Sequence, residues 1–274
     1  PLVTTTAVTT TGVTVAPPAT FVPASIDLPS FDAADFPGSG PRVDALVAEA
    51  RLRAQFPIRT PTAEAPLRVY VGGDSLSDAP RLGVEGAGAV VDVTADTRVS
   101  TGLVATWFFD WPEHIERVVA AADYDVVVLT FGANDAQPLG GDAPPGTEEW
   151  QIRYTERIDR IAAALQGGPR VVWIGLPPVK PRSVQAIVPV VNELVAEAAE
   201  RWDHIDYLDV TALFSDGDGA YAKVLPGVDG TNHQVRAGDG VHYTVTAGDW
   251  MAVGVLEFVA NQMADPAALF PAAE

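Results

Sequence analysis

The chain has 274 residues, 47% hydrophobic and 8% aromatic, enough for a packed core in one large domain or two small ones. Seventeen basic against 36 acidic residues leave a formal charge of −19; with no lysine-arginine cluster, such a surface repels nucleic acid and anionic lipid. Cysteine is absent, which excludes disulfides, thiolate metal sites and a cysteine nucleophile.

Residues 1–40 are rich in Thr, Pro and Ala, with Thr4-Thr5-Thr6, Thr9-Thr10-Thr11 and Pro17-Pro18 and few charges. Such tracts bury too little surface to fold alone and commonly form linkers or exported stalks. Phe21, Ile26, Leu28, Phe31 and Phe36 also allow an arm docked along the body, and we expect the second half to dock. A start at Pro1 without methionine suggests processing that could have removed a signal or anchor. Residues 41–274 are expected to form the folded domain, beginning with an amphipathic helix over 43–56.

From residue 67 short apolar runs alternate with helical patterns. Runs at 67–71, 89–93, 125–131, 170–176 and 204–210 predict five strands, apolar on both faces like buried parallel strands. Helices are predicted at 113–122, 147–166, 182–202 and 246–262. The alternation implies an α/β fold, a parallel sheet covered on both sides, with functional groups beyond the carboxyl ends of its strands. There is no internal repeat, no sustained heptad and no apolar stretch long enough to span a bilayer.

Three segments carry chemistry. Gly72-Gly73-Asp74-Ser75-Leu76 ends the first strand, and its glycines permit a sharp turn that exposes the Ser75 hydroxyl; the competing role for Asp74 and Ser75 is a helix N-cap. Gly132-Ala133-Asn134-Asp135 follows the third strand, and the Asn134 amide can donate to the oxygen of a tetrahedral intermediate or serve as a turn residue. In Asp239-Gly240-Val241-His242 the carboxylate can hold one ring nitrogen and leave the other to take a serine proton, the competing role for Asp239-Gly240 being a plain turn. Gly102, after the second strand, can bring a backbone N–H to the same oxygen. The other histidines, His114, His204 and His233, lack such a carboxylate. Asp216-Gly217-Asp218-Gly219 lacks the spaced ligands of a calcium loop and is expected to be a surface turn.

Together these blocks resemble the SGNH hydrolases, also called GDSL esterases and lipases, over about residues 67–259. Further runs resemble a bacterial subgroup long left as a domain of unknown function: Arg98-Val99-Ser100-Thr101-Gly102-Leu103, Asp110-Trp111-Pro112, Asn134-Asp135-Ala136-Gln137, Glu149-Trp150 and Trp173-Ile174-Gly175-Leu176-Pro177-Pro178. The resemblance implies a flavodoxin-like three-layer α/β/α sandwich with sheet order 2-1-3-4-5. It implies Ser75 as nucleophile, His242 as base, Asp239 as its orienter, and Ser75 N–H, Gly102 N–H and Asn134 as the oxyanion hole. Asp74, Gln137, Trp107 and Trp111 are expected to contact substrate. No metal and no cofactor are expected.

The expected activity is hydrolysis of short acyl esters, acetyl above all, on surface carbohydrate or peptidoglycan, since no long apolar lid suggests lipid. A near rival is an O-acetyltransferase using the same serine, with a membrane acyltransferase as partner; a second is a non-catalytic glycan-binding module. A monomer that is extracellular or tethered in the cell envelope, without a nucleic-acid partner, suits the acidic composition and the stalk.

Overall fold

A computed structural model describes residues 58–269 except 89, 228, 229 and 264. The expected linker over 1–40 and helix over 43–56 lie outside the described residues. Five strands form one parallel sheet: β1 (Leu67–Gly73), β2 (Val91–Thr97), β3 (Val126–Thr130), β4 (Arg170–Ile174) and β5 (Ile205–Leu208). Their order is β2-β1-β3-β4-β5, as expected. β3 and β4 are β-branched or aromatic at most positions and buried throughout, which suits central strands covered on both faces.

From β1 the chain steps outward to β2, and from β3 it steps the other way through β4 to β5. Right-handed crossovers therefore put the connecting helices on opposite faces. Helix α1 (Asp78–Glu85) follows β1 and packs along the last long helix. Helix α2 (Trp111–His114), capped by Asp110, runs into a π-turn at Ile115–Val119, where the N–H of Ala120 donates to the carbonyl of Ile115 at 2.9 Å. Helix α3 (Glu148–Leu165) starts on Thr147 and buries Trp150, Tyr154, Ile158 and Ile161 at helical spacing. Helices α4 (Arg182–Gln185) and α5 (Val188–Arg201) lead to β5. A short α6 (Thr211–Phe214) and the antiparallel pair β6 (Val224–Pro226) and β7 (Asn232–Gln234) precede α7 (Val245–Ala260), which is buried along most of its length.

Two expectations need correction. The second strand begins two residues later than predicted and alternates in exposure instead of being buried on both faces, because β2 is the edge of the sheet and carries Asp92 and Thr94 outward. The helix predicted over 182–202 is two helices. Pro189 has no N–H and would clash with a preceding helical turn, so the helix restarts at Val188 with proline in its first turn. Helix α1 and the hairpin β6–β7, both short, were not predicted.

Arg170 and Asp206 form a buried ion pair at the start of β4 and β5, their side chains 4% and 2% exposed. Asp206→Ala would strip that buried guanidinium of its carboxylate, and should lower the unfolding free energy by about 3–5 kcal/mol in urea denaturation. Beside this pair a cavity of about 850 Å³ opens at the amino ends of the strands, lined by Arg59, Asp125, Arg170 and His204 among others. It lies at the pole opposite Ser75, Asn134 and His242, and none of the candidate site residues lines it.

Candidate active site

The order reversal between β1 and β3 leaves a crevice at their carboxyl ends, where side chains following each strand face one another. β1 ends at Gly73, whose φ of +141° and proximity to Thr130 (a Cβ would lie 2.0 Å from its carbonyl oxygen) admit no side chain. The chain turns there into Asp74 and the 3₁₀ turn Ser75–Ser77. Asp74 caps that turn, accepting from the N–H of Leu76 at 2.8 Å, while its other oxygen accepts from Gly132 and Ala133 N–H at 3.2 Å each. The expected substrate contact by Asp74 is thereby corrected: it is fully buried and ties the serine turn to the Asn134 turn. Burial pushes its carboxyl up to about 7, against the pull of those backbone donors.

Ser75 Oγ lies 2.8 Å from His242 Nε2, and His242 Nδ1 lies 2.6 Å from Asp239 Oδ2. Since a carboxylate only accepts, Nδ1 carries the proton and Nε2 is left to accept from the serine. The N–H groups of Val241 and His242 also donate to Asp239 Oδ1, at 2.8 and 3.0 Å. Partial burial pushes the Asp239 carboxyl up, but the hydrogen bonds from the His242 ring and these two amides outweigh it and hold it down at about 2.

The loop after β2 is fastened from below. Asp135, fully buried, accepts from Leu103 N–H at 3.0 Å, Val104 N–H at 2.8 Å and the Tyr154 hydroxyl at 2.9 Å. Burial pushes its carboxyl up, opposed by the Val104 and Leu103 amides. Arg157 donates to the carbonyls of Leu103 and Val104. Asn134 Nδ2 gives one hydrogen to the Thr101 carbonyl at 2.8 Å, which seats its amide beside Gly102 and leaves the second hydrogen for another acceptor. Among the described residues no group accepts from the backbone N–H of Ser75 or of Gly102. Two idle amides and half an idle carboxamide thus lie on the serine turn and on the loops that follow β2 and β3.

One further expectation is corrected. Trp111 is fully buried, its Nε1–H donating to Thr101 Oγ1 at 2.9 Å and its ring set edge-on to Phe109 and Phe131, so it backs the loop instead of reaching substrate. Gln137 turns its Nε2 onto the Asn134 carbonyl at 2.7 Å and braces that turn. Trp107 and Phe108, five and six residues beyond Gly102, are 85% and 57% exposed.

The histidine loop has its own anchor, not predicted. Arg236 is fully buried, donates to the carbonyls of Val241 at 2.9 Å and Pro178 at 3.1 Å, and lies 4.4 Å from the Tyr243 ring centroid. The residues flanking His242 are thus locked to the loop after β4 by one guanidinium. Of the other histidines, His114 meets Asp96 at 2.8 Å, His204 the Ala162 carbonyl at 2.9 Å and His233 Thr231 at 2.8 Å. In the turn at Asp216, Oδ1 accepts from Asp218 and Ala220 N–H, and among the described residues no group of three His, Cys, Asp or Glu could hold a metal ion.

A family model described as "Protein of unknown function (DUF459)" matches residues 68–257. The chain belongs to this family. No curated protein matches the sequence. Among solved structures it is similar to the native M. smegmatis aryl esterase, at 14% identity and a TM-score of 0.51, over 72% of this chain and 100% of that one. It is also similar to a variant of Axe2, an acetyl-xylooligosaccharide esterase from Geobacillus, at 15% identity and a TM-score of 0.50, over 70% of this chain and 94% of that one. At such identities the likeness is one of fold, an α/β sandwich on a five-stranded parallel sheet of order 2-1-3-4-5.

Proposed function

We propose that this protein is a serine esterase that removes short acyl groups, acetyl above all, from carbohydrate at the cell surface. The hydrogen-bonded chain Ser75–His242–Asp239 carries the proposal. Ser75 Oγ attacks the ester carbonyl carbon as His242 Nε2 takes its proton. The oxygen that becomes negative is met by the Ser75 and Gly102 amides and the Asn134 carboxamide. Collapse expels the alcohol, which takes the proton from His242 and leaves an acyl-serine. Water, deprotonated by the same nitrogen, attacks the acyl carbon and frees the acid and Ser75.

Acetyl on sugar is supported by the fold shared with an acetyl-xylooligosaccharide esterase and by the exposed Trp107 ring on the loop that carries Gly102. The Thr/Pro-rich leader and the acidic composition favour an exported or envelope-tethered protein. Transfer to a sugar hydroxyl would use the same serine. Hydrolysis is favoured because the His242 and Asp239 side chains are 44% and 50% exposed, which gives water access to the acyl-serine. A binding module would have no use for a base and its orienter.

The test is incubation with p-nitrophenyl acetate and with a serine-directed fluorophosphonate. We expect steady acetate release and a single adduct that peptide mass spectrometry locates on Ser75. A protein that neither turns over the ester nor takes the label is not an esterase.

A further inference from the structure

The described basic side chains divide in a telling way. Each arginine other than Arg182 either lies in an ion pair with Asp or Glu or, for Arg157 and Arg236, is turned onto backbone carbonyls. Among the described residues Lys180, Arg182 and Lys223 have no carboxylate partner, and all three are exposed. In a chain with 36 acidic and 17 basic residues, an exposed cation left without an anion is unexpected.

All three border the histidine loop. Lys180 N–H donates to the Gly240 carbonyl at 3.0 Å. A Cβ placed on Gly240 would come 2.5 Å from Lys180 Cβ and 3.2 Å from its Cδ, so the lysine stem lies against the turn joining Asp239 to His242. Arg182 follows two residues later. From the other side Tyr221 Oη lies 3.2 Å from the same point. Lys223, two residues beyond it, accepts on its carbonyl from the N–H of Val235 at 2.9 Å and of Arg236 at 3.3 Å. Of the acids near this edge, Asp216 is spent on its own turn and Asp239 on the His242 ring and on the amides of Val241 and His242.

We infer that the site takes an ester whose alcohol part carries a negative charge, an O-acylated acidic glycan whose carboxylate or phosphate is met by Lys180, Arg182 and Lys223. The inference rests on the esterase reading and deepens it. The chain's net charge repels such a substrate at long range, but salt screens that field beyond about 8–10 Å. Within that distance the local cations decide. The exposed Trp107 and Phe108 on the oxyanion side offer an apolar face to a sugar ring, while the histidine side offers charge to its acid.

The experiment compares kcat/KM for three O-acetylated sugars: a methyl glucoside, a methyl glucuronoside and glucose 6-phosphate, with p-nitrophenyl acetate as reference. Exposed ion pairs each contribute about two- to five-fold, so one or both acidic esters should be favoured over the neutral one about tenfold at low salt. The preference should fade as salt rises to about 0.5 M. The triple variant Lys180→Gln, Arg182→Gln, Lys223→Gln should bring the ratio of acidic to neutral close to one, while Lys180→Arg alone should keep it. Because the readout is a ratio within one preparation, a smaller folded fraction does not alter it. Hydrolysis with no charge preference in the wild type, or a preference that survives the triple variant, overturns this inference alone. Failure to hydrolyse any of the esters overturns the esterase reading, and this inference with it.

Discussion

His242→Ala should lower kcat for a short acetyl ester about 10⁴–10⁶-fold, with KM and the thermal unfolding midpoint close to wild type. The imidazole accepts from Ser75 and donates to Asp239, and it is partly exposed, so its loss removes a proton carrier without opening the core. The pH dependence separates the two members of the pair. Asp239 is depressed to about 2, so its favourable contacts are present above the ordinary aspartate range and are lost only as pH falls through about 2. Its side chain is half exposed and its effect on stability is correspondingly screened. The carboxylate therefore stays ionised across the working range, and the acid limb of kcat/KM is set by a group other than Asp239. With a histidine base, activity must fall toward acid pH as the ring takes up a proton. A His242→Ala variant within tenfold of wild type would remove His242 from the mechanism.

Asn134→Ala should cost about 10²–10³ in kcat, about 2.7–4 kcal/mol, with little change in KM. Among the described residues its carboxamide hydrogen-bonds only the Thr101 carbonyl, so urea denaturation should register a small change. Gly102→Ala should match or exceed that loss of kcat and also destabilise the fold. The new Cβ would fall 2.3 Å from Asp135 Oδ1 and 2.8 Å from its Cγ. That carboxylate cannot give way, being held by Leu103, Val104 and Tyr154. The loop would have to move instead, taking the Gly102 amide with it. If both variants turn over a short acetyl ester within threefold of wild type, neither group stabilises the oxyanion.

Features set by near neighbours in the chain are legible before folding. β3, Val-Val-Val-Leu-Thr, reads as a buried strand because no other element suits five β-branched or apolar residues between turns. Asp239 and His242 stand three residues apart, and the turn that joins them is closed by the Asp239 carboxylate on amides two and three residues ahead. Pro189 was legible too, and should have split the helix predicted over 182–202. Asp74 and Trp111 were misjudged for a different cause. Their chemistry suits substrate contact, but burial consumes it internally, Asp74 on Gly132 and Ala133 and Trp111 on Thr101. Tyr154, Arg157 and Arg236 carried no local signal, because the carbonyls and the carboxylate they serve belong to other elements.

By itself, then, the sequence determined which reactive groups exist, the order in which they follow the strands, and the pairing of Asp239 with His242. Those depend on covalent spacing and on hydrogen bonds within a few residues. Only the tertiary structure decided that Ser75 meets a histidine 167 positions away at 2.8 Å. It also decided which polar side chains are spent on holding loops, and that three cations beside the histidine turn have no carboxylate partner among the described residues. Such outcomes come from parallel strands delivering distant turns to one edge of a sheet, where packing of the whole core, and no local preference, sets who touches whom.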